Sequence, residues 1–326
     1  MTALLFPGQG TQRVGMGQAL RMACPDAAAP VLDQAWAMDA ELAALMRHGP
    51  LSRLARTEHS QLAVTATNLS ALAVLRTGLE SFSAVSGHSV GFLSALVGAG
   101  SLGVGGALRL AKLRGGLMGS LSAGGAMASI SGLSLEEVRD LTARSAHKTG
   151  ATVVVGLVNG PSAIVVSGDE PAVDHACLLA ADRGARSTRL SVSHAFHSPL
   201  MRSVRDPWCD IVGGAEFLAP AVPLIADLTG EIVDSQERIR ELLVEQLTCT
   251  VRWDLVSARL AASGENEAIE AGDSTVLRGF ARSYPGLHVS SMAQPQVLAR
   301  FRPARERLSV PAAAAARRGE REAVND

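Results

Sequence analysis

The sequence predicts an α/β fold whose larger part is built on a mainly parallel sheet. Short apolar runs with strand character alternate with longer helical stretches over residues 4–118, the order that parallel strands and crossover helices produce. Residues 126–192 instead follow the order strand–helix–strand–strand–helix–strand, which matches an inserted ferredoxin-like unit. We therefore expect a large α/β domain over residues 1–125 and 193–300, a ferredoxin-like subdomain over 126–192 and a flexible tail over 303–326.

The first part of the large domain contains two strands and several helices. The predicted elements are, in order, a buried strand at 4–6, helices over 16–77 with breaks near 24–25 and 48–50, a strand-like run at 82–85 and a helix over 108–118. Residues 90–108 carry no charge, which is a length that could suggest a membrane span. Six glycines interrupt this stretch, so a buried helix followed by a glycine-rich turn is the favoured interpretation.

The inserted unit and the return to the large domain follow. The unit is predicted from strands at 127–130, 152–157, 163–166 and 187–192, helices at 134–147 and 170–183, and a turn at Asn159-Gly160-Pro161. Residues 199–280 have a mixed α/β pattern with one clear helix over 236–246. The last stretch has an alanine run and several arginines without a sustained apolar face, which indicates a frayed helix or a disordered tail.

Composition excludes several classes of function. A net charge of −1 and an aromatic content of 3% argue against nucleic-acid and anionic-membrane binding, while 47% hydrophobic residues supply an ample core. The cysteines form no Cys-x-x-Cys pair, which predicts a reduced, cytoplasmic protein without a metal site or disulfide framework. They are Cys24, Cys177, Cys209 and Cys249. The N-terminus also lacks the basic region and cleavage site of a secretion signal.

The pentapeptide Gly87-His88-Ser89-Val90-Gly91 carries the first sign of chemistry. A serine between two glycines at a strand-to-helix turn is typical of a nucleophile elbow, and the N–H groups that follow can stabilise an oxyanion. The general base that a serine needs is expected just after the inserted unit, at His194 or His197, which these arguments do not separate. Taken alone, the pentapeptide is equally compatible with a structural turn.

Four motifs in order extend this interpretation. They are Phe6-Pro7-Gly8-Gln9-Gly10, the pentapeptide, Leu113-Arg114-Gly115-Gly116-Leu117-Met118 and His194-Ala195-Phe196-His197-Ser198-Pro199-Leu200-Met201. Together they resemble the malonyl-CoA:acyl carrier protein transacylase family, which includes the acyltransferase domains of polyketide synthases. The likeness continues through Val251-Arg252-Trp253 and Val276-Leu277-Arg278-Gly279 and covers about residues 1–285.

The resemblance implies a role for each motif and an α/β-hydrolase-like large domain with a ferredoxin-like insert. Ser89 would be the nucleophile and His197 the general base and acid, oriented by backbone carbonyls without a third acidic residue. Gln9 and the backbone N–H of Val90 would form the oxyanion hole. Arg114 would bind the malonyl carboxylate, because a planar guanidinium can hold a carboxylate through two hydrogen bonds. The alternatives are a turn residue bonded to its own loop for Gln9 and a solvated helix arginine for Arg114.

The resemblance also indicates substrate-binding residues and departures from the family pattern. Gln61 and His88 would line the same pocket, and Phe196 would fill the space that an α-methyl substituent needs, although a core role for Phe196 is compatible with the sequence. Phe92 replaces an acidic or amide residue expected near the active-site mouth. Leu62 follows Gln61 where proline is usual. Gly272-Asp273-Ser274-Thr275 replaces a Gly-Pro-Gly-Lys loop that helps to position the histidine.

The resulting hypothesis is a ping-pong acyl transfer that needs no metal or other cofactor. Malonyl-CoA would acylate Ser89, and the phosphopantetheine thiol of an acyl carrier protein would take the malonyl group. Three alternatives remain at this point: the transacylase subunit of a malonate decarboxylase, a thioesterase or hydrolase that clears carrier proteins, and a carrier-docking scaffold with an inactive site. Arg114 argues against a hydrolase for neutral acyl groups, because an unpaired buried cation is costly.

Overall fold

The computed structural model describes residues 2–121, 124–192, 194–264 and 266–303. The strands are β1 (Ala3–Phe6), β2 (Val85–Gly87), β3 (Gly125–Ser131), β4 (Val153–Gly160), β5 (Ala163–Asp169), β6 (Arg186–Arg189), β7 (Leu224–Ile225), β8 (Ile232–Val233), β9 (Val251–Arg252), β10 (Glu267–Glu270) and β11 (His288–Ser291). The helices are α1 (Gln18–Ala23), α2 (Pro25–Met38), α3 (Leu42–His48), α4 (Leu51–Leu54), α5 (Thr57–Leu75), α6 (Gly91–Gly98), α7 (Val104–Gly119), α8 (Leu135–Thr149), α9 (Glu170–Asp182), α10 (Arg205–Gly213), α11 (Gln236–Glu245), α12 (Trp253–Ala262), α13 (Val276–Ala281) and α14 (Pro295–Leu298). Short 3₁₀ helices cover Pro199–Val204 and Ala299–Phe301.

The first sheet has the strand order β11-β10-β1-β2-β7-β8 and is parallel except for the pair β7–β8. Strand β1 lies at its centre, and all four of its residues are buried. Such a continuous apolar run is what a parallel strand covered by helices on both faces requires. The predicted mainly parallel sheet is confirmed.

This sheet brings distant parts of the chain to one edge. Strands β1, β2 and β7 are parallel neighbours, with Leu4 opposite Val85 and Val85 opposite Leu224. Their carboxyl ends therefore meet, and the chain segments that leave them lie side by side. Ligand sites of open parallel sheets form at this edge.

The second sheet has the strand order β6-β3-β5-β4-β9 and is antiparallel except for the pair β4–β9. Its first four strands and two helices follow the chain order β3-α8-β4-β5-α9-β6, which is the order that the sequence predicts. Helix α8 begins at a capping box, in which Ser134 and Glu137 satisfy each other's backbone N–H groups. A separate apolar core, including Ile130, Val138 and Ile164, fills the space between this sheet and its helices.

Several predicted boundaries differ from the observed ones. The run at 82–85 is apolar because Phe82 is buried, but ladder pairing begins only at Val85. The run at 187–192 forms strand only as far as Arg189, since the chain then turns away to line a cavity. The predicted turn at Asn159-Gly160 is the end of β4, and Pro161-Ser162 makes the turn. Of the tail predicted over 303–326, residues 304–326 lie outside the described residues.

The charge-free stretch at 90–108 consists of two helices and a turn. Every residue of α6 is buried, and α7 begins at Val104 after the glycine-containing turn. Within the described ranges, no helix is long and apolar enough to cross a membrane. The prediction of a buried helix followed by a glycine-rich turn is confirmed.

Candidate active site

Ser89 lies on a sharp turn between β2 and α6, with a φ of +53°. Within the described residues, Ser89 and His197 (φ +57°) are the non-glycine residues with positive φ. Gly91 is needed beside the serine, because a Cβ there would lie 2.2 Å from the backbone oxygen of Phe6. Strained backbone of this kind persists where the surroundings enforce it, and it concentrates at functional sites. The turn thus has the geometry of a nucleophile elbow.

Replacing Gly91 by alanine is expected to lower the free energy of unfolding by about 3 kcal/mol, because the added methyl group meets backbone that cannot move aside. Gly116→Ala is the matched control. Gly116 is exposed on α7 with no atom within 4 Å of an added Cβ, so alanine should stabilise by about 0.5–1 kcal/mol through helix propensity. Urea unfolding of the two variants measures both values, and equal effects would contradict the tight contact at Gly91.

Ser89 and His197 form a hydrogen-bonded pair, with Oγ and Nε2 2.8 Å apart. The other ring nitrogen, Nδ1, lies 2.7 Å from the backbone oxygen of Gln246. Because a carbonyl can only accept, Nδ1 carries the proton and Nε2 is free to accept the serine proton. Burial, reinforced by the nearby charge of Arg114, lowers the pKa of His197 to about 3, so the imidazole is neutral at neutral pH. The pair is therefore in the state that general-base chemistry requires.

The structure also separates the two candidate histidines. His194 Nε2 lies 2.9 Å from the backbone oxygen of Leu121, and its ring stacks on Phe196 at 5.8 Å between centroids. His197, in contrast, contacts the serine and the carboxyl end of α11, where backbone carbonyls lack helical partners. The negative end of that helix favours the imidazolium that forms when His197 takes a proton.

Arg114 is a buried cation, with only 2% of its surface exposed. Its guanidinium donates from Nη1 to Gln61 Oε1 at 2.9 Å and from Nη2 to Gln246 Oε1 at 3.2 Å, while Nε has no hydrogen-bond partner among the described residues. Burial lowers the pKa of Arg114 to about 10, with Asp227 opposing the shift, so the group stays charged. Across the part of the chain that the structure describes, Arg114 forms no ion pair. The alternative of a solvated helix arginine is wrong.

Gln9 lines the same cavity as Ser89, and Val90 directly follows Ser89 in the chain. Gln9 follows β1, and its side-chain oxygen accepts from Thr57 Oγ1 at 2.8 Å, which leaves its amide N–H groups as donors. The N–H groups of Gly91 and Phe92 bond to His88 O and Ser89 O, whereas that of Val90 has no acceptor among the residues described. Free N–H donors beside a serine can stabilise negative charge on a substrate oxygen.

A cavity of about 320 Å³ joins the predicted site residues. Among those that line it are Gln9, Gln61, His88, Ser89, Arg114, Phe196 and His197. Val90 is fully buried and does not line the cavity, so its predicted role concerns its backbone N–H alone. The remaining lining is largely apolar, including Met127, Leu157 and Leu190. A mostly apolar cavity with a few convergent polar groups is typical of a small-molecule site.

His88 anchors the turn that carries Ser89 through contacts with Asn159 and Trp253. Its Nε2 donates to Asn159 Oδ1 at 2.8 Å, and its ring lies 5.4 Å from that of Trp253. Burial lowers the pKa of His88, so it is neutral here. The bond to Asn159, at the end of β4, ties the elbow of the first sheet to the second sheet.

Two expectations about departures from the family pattern are wrong. Phe92 was expected near the active-site mouth, but it is fully buried and does not line the cavity, because the whole of α6 packs into the core. The loop at 272–275 was expected to position the histidine. Asp273 instead accepts hydrogen bonds from Arg13 and from the N–H of Gly17, and the carbonyl that holds His197 comes from Gln246.

Asp227 and Gln246 belong to the site but were missed from the sequence. The fully buried Asp227 accepts the N–H of Ser89 at 2.9 Å and the Nε2 group of Gln246 at 2.8 Å. Gln246 also donates to Ser89 O at 3.2 Å. A signal existed: an acidic residue two positions after the short strand β7 marks the carboxyl edge of a parallel sheet. The described ranges contain no group of three or more His, Cys, Asp or Glu that could hold a metal ion.

The ionisation of Asp227 should make stability depend on pH. Burial raises the pKa of Asp227 to about 7, so the folded state binds a proton more tightly than the unfolded state does. Its favourable contribution is therefore complete below the unfolded pKa near 4 and is lost as pH rises through about 7. We expect Asp227→Asn to raise the melting temperature more at pH 8 than at pH 5. An increase in melting temperature that is larger at pH 5 than at pH 8 would contradict the raised pKa of Asp227.

Comparison with known proteins places this geometry in a family. The sequence model of the protein family described as acyl transferase domain matches residues 3–316. The chain is 33% identical over 284 residues to the malonyl CoA-acyl carrier protein transacylase of Bacillus subtilis (strain 168), covering 86% of this chain and 89% of that protein.

Two solved structures are also similar. The malonyl CoA-acyl carrier protein transacylase of Coxiella burnetii has a TM-score of 0.87 and 29% identity, over 91% of this chain and 95% of that one. A malonyl-transacylase solved in complex with its type II polyketide synthase acyl carrier protein has a TM-score of 0.86 and 31% identity, over 91% and 97%. The chain therefore belongs to the acyl transferase domain family and, within it, to the malonyl-CoA:acyl carrier protein transacylases that its motifs resemble.

Proposed function

We propose that this protein transfers a malonyl group from malonyl-CoA to the phosphopantetheine thiol of an acyl carrier protein. The observation that carries the proposal is Arg114, a buried cation without an ion pair in the described structure that opens onto the same cavity as the Ser89–His197 pair. A buried charge without a partner is costly, so the site suits a substrate that brings its own carboxylate. The named activities of the relatives support this substrate.

The first half-reaction acylates Ser89. His197 Nε2 takes the hydroxyl proton as Oγ attacks the thioester carbonyl, and the developing oxyanion receives hydrogen bonds from the Val90 N–H and the Gln9 amide. The carbon–sulfur bond then breaks, and the leaving CoA sulfur takes the proton from His197. Loss of one oxyanion donor typically costs about 3 kcal/mol of transition-state stabilisation.

The second half-reaction reverses these steps with a different thiol. His197 takes the proton of the phosphopantetheine thiol, the thiolate attacks the malonyl-serine ester, and the proton returns to Ser89 as its oxygen leaves. The same base thus serves both directions, and no residue outside the cavity is needed for proton transfer. Ping-pong kinetics are the expected signature.

The remaining site residues determine which acyl group fits. Arg114 would hold the malonyl carboxylate, with Gln61 and Gln246 fixing its guanidinium. Phe196 would exclude an α-methyl substituent, a discrimination usually worth about 1–3 kcal/mol. His88 would act indirectly, by holding the elbow against Asn159.

The finer description of the fold and the location are also proposals. The antiparallel order β6-β3-β5-β4 supports a ferredoxin-like subdomain over 126–192, and the parallel sheet with an elbow after β2 supports an α/β-hydrolase-like large domain over 1–125 and 193–300. The free cysteines support a cytoplasmic protein.

The experiment that tests this function compares transfer with hydrolysis. The protein is incubated with malonyl-CoA with and without a phosphopantetheinylated carrier, and malonyl-carrier and free malonate are both quantified. We expect carrier loading well above malonate release, and no loading by Ser89→Ala. Malonate release that exceeds loading would favour a hydrolase, and absence of both would favour a docking scaffold. In a parallel incubation with free malonate and an acetyl carrier, loading that malonyl-CoA does not support would favour the decarboxylase subunit.

A further inference from the structure

The pairing of β2 with β7 brings Asp227 next to Ser89. Strands β2 and β7 are parallel neighbours, Ser89 lies two residues beyond β2, and Asp227 lies two residues beyond β7. One carboxyl oxygen, Oδ2, receives both the Ser89 N–H and the Gln246 side-chain amide. The other oxygen, Oδ1, has no hydrogen-bond partner among the described residues. A buried carboxyl is thus fixed to the strained turn by a single oxygen.

The contacts of Asp227 determine which end of the Gln246 side chain faces Arg114. The amide group of Gln246 has two chemically different ends, and the hydrogen-bond network decides which one points where. Asp227 Oδ2 and Ser89 O can only accept, so the Nε2 end of Gln246 must face them. Its Oε1 end must then face Arg114, where it accepts from Nη2. Without an acceptor at position 227, the flipped orientation of the Gln246 amide would be penalised less. In that orientation the Nε2 end would present its N–H groups to the Arg114 guanidinium.

We propose that Asp227 is a positioning residue that fixes the orientation of Gln246 and, through it, aims Arg114 for binding an acyl carboxylate. The inference rests on the proposed function and deepens it, because it assigns part of the selectivity for malonyl over neutral acyl groups to a residue that does not line the cavity. Asp227 acts on the substrate only through Gln246 and Arg114. It acts on the nucleophile through the N–H of Ser89.

Substitutions at position 227 separate this role from a general structural one. Asp227→Asn keeps an oxygen that can accept from the Ser89 N–H and from Gln246 Nε2. Asp227→Leu removes this acceptor but fills the volume of the side chain, and Asp227→Ala removes both the acceptor and the volume. The measured quantity is the ratio of kcat/KM for acylation of Ser89 by malonyl-CoA to that by acetyl-CoA. We expect the ratio to fall about tenfold in the Leu and Ala variants, the size typical of coupled neighbours, and to stay within about threefold of wild type in Asn.

Glu270→Gln is the matched control, because Glu270 is a fully buried carboxyl of the same sheet that accepts backbone N–H groups of Val276 and Arg278. It is expected to lower the melting temperature, because both oxygens of Glu270 accept N–H groups and an amide keeps only one acceptor, without changing the malonyl-to-acetyl ratio. If Asp227→Leu fails to fold, Asp227→Ala supplies the same comparison. If both fail, the Asn variant decides alone, because a tenfold fall of its ratio would overturn the inference and a ratio within about threefold of wild type would support it.

A double-mutant cycle tests whether the effect passes through Arg114. In an Arg114→Ala background, substitution of Asp227 should leave the ratio unchanged, because the group that it aims is gone. An unchanged ratio in Asp227→Ala with wild-type Arg114 would overturn the inference, as would a fall of equal size in both backgrounds or a tenfold fall in Asp227→Asn. Failure of the wild type to acquire malonyl from malonyl-CoA would contradict the proposed function itself.

Discussion

Replacing His197 by asparagine is expected to slow acylation of Ser89 by about 10⁵-fold, the order that loss of the base costs in serine enzymes. Asparagine is the substitution of choice, since residue 197 has a φ of +57° and asparagine tolerates this left-handed conformation better than alanine. Its amide can bond to Gln246 O, but it cannot take the serine proton. The measurement is the single-turnover rate of CoA release from malonyl-CoA.

His194→Asn is the control for this prediction. His194 bonds to Leu121 O and stacks on Phe196, so its replacement should change the rate by only a few-fold, far less than the loss in His197→Asn. Thermal melting shows whether each variant keeps its fold. A normal rate in His197→Asn together with a severe loss in His194→Asn would reverse the assignment of the base.

Replacing Arg114 by alanine is expected to lower kcat/KM for malonyl-CoA by about 10²–10³-fold, because truncating one partner of a buried charge pair leaves the substrate carboxylate desolvated and unpaired. Acylation by acetyl-CoA should be unchanged or faster, since acetyl has no carboxylate to lose. Arg114→Lys should have a kcat/KM for malonyl-CoA between those of the wild type and of Arg114→Ala, because lysine keeps the charge but not the planar fork. Steady-state kinetics with both thioesters give the comparison.

Arg109→Ala is the matched control for Arg114, because Arg109 lies on the same helix, α7, but is exposed. Its loss should leave both activities unchanged. Equal losses with malonyl-CoA and acetyl-CoA in Arg114→Ala would show that Arg114 supports the fold of the site and does not bind the carboxylate.

The sequence predicts the parts of this structure that depend on local patterns. The buried strand β1, the elbow at Ser89 and the capped helix α8 follow from short-range rules for apolar runs, glycine turns and helix caps. The choice of His197 over His194 came only from the family resemblance. The contacts of His197 with Ser89 and with the carboxyl end of α11 support this prediction.

The parts that depend on long-range contacts were not predicted. Asp227 and Gln246 are separated from Ser89 by more than a hundred residues, and only the pairing of β2 with β7 and the end of α11 brings them together. The family pattern predicts Phe92 near the mouth, whereas an apolar side chain on an entirely buried helix belongs to the core.

In the proposed mechanism Ser89 carries the malonyl group during transfer, and measurement of the intact protein mass detects that adduct. The protein is mixed with malonyl-CoA without a carrier, quenched in acid, weighed, and digested to locate the modification. We expect one malonyl group per chain on the peptide that contains Ser89, its removal when a phosphopantetheinylated carrier is added, and no adduct in Ser89→Ala. A wild-type protein that never acquires the adduct while loading the carrier, or a Ser89→Ala variant that transfers normally, would contradict it.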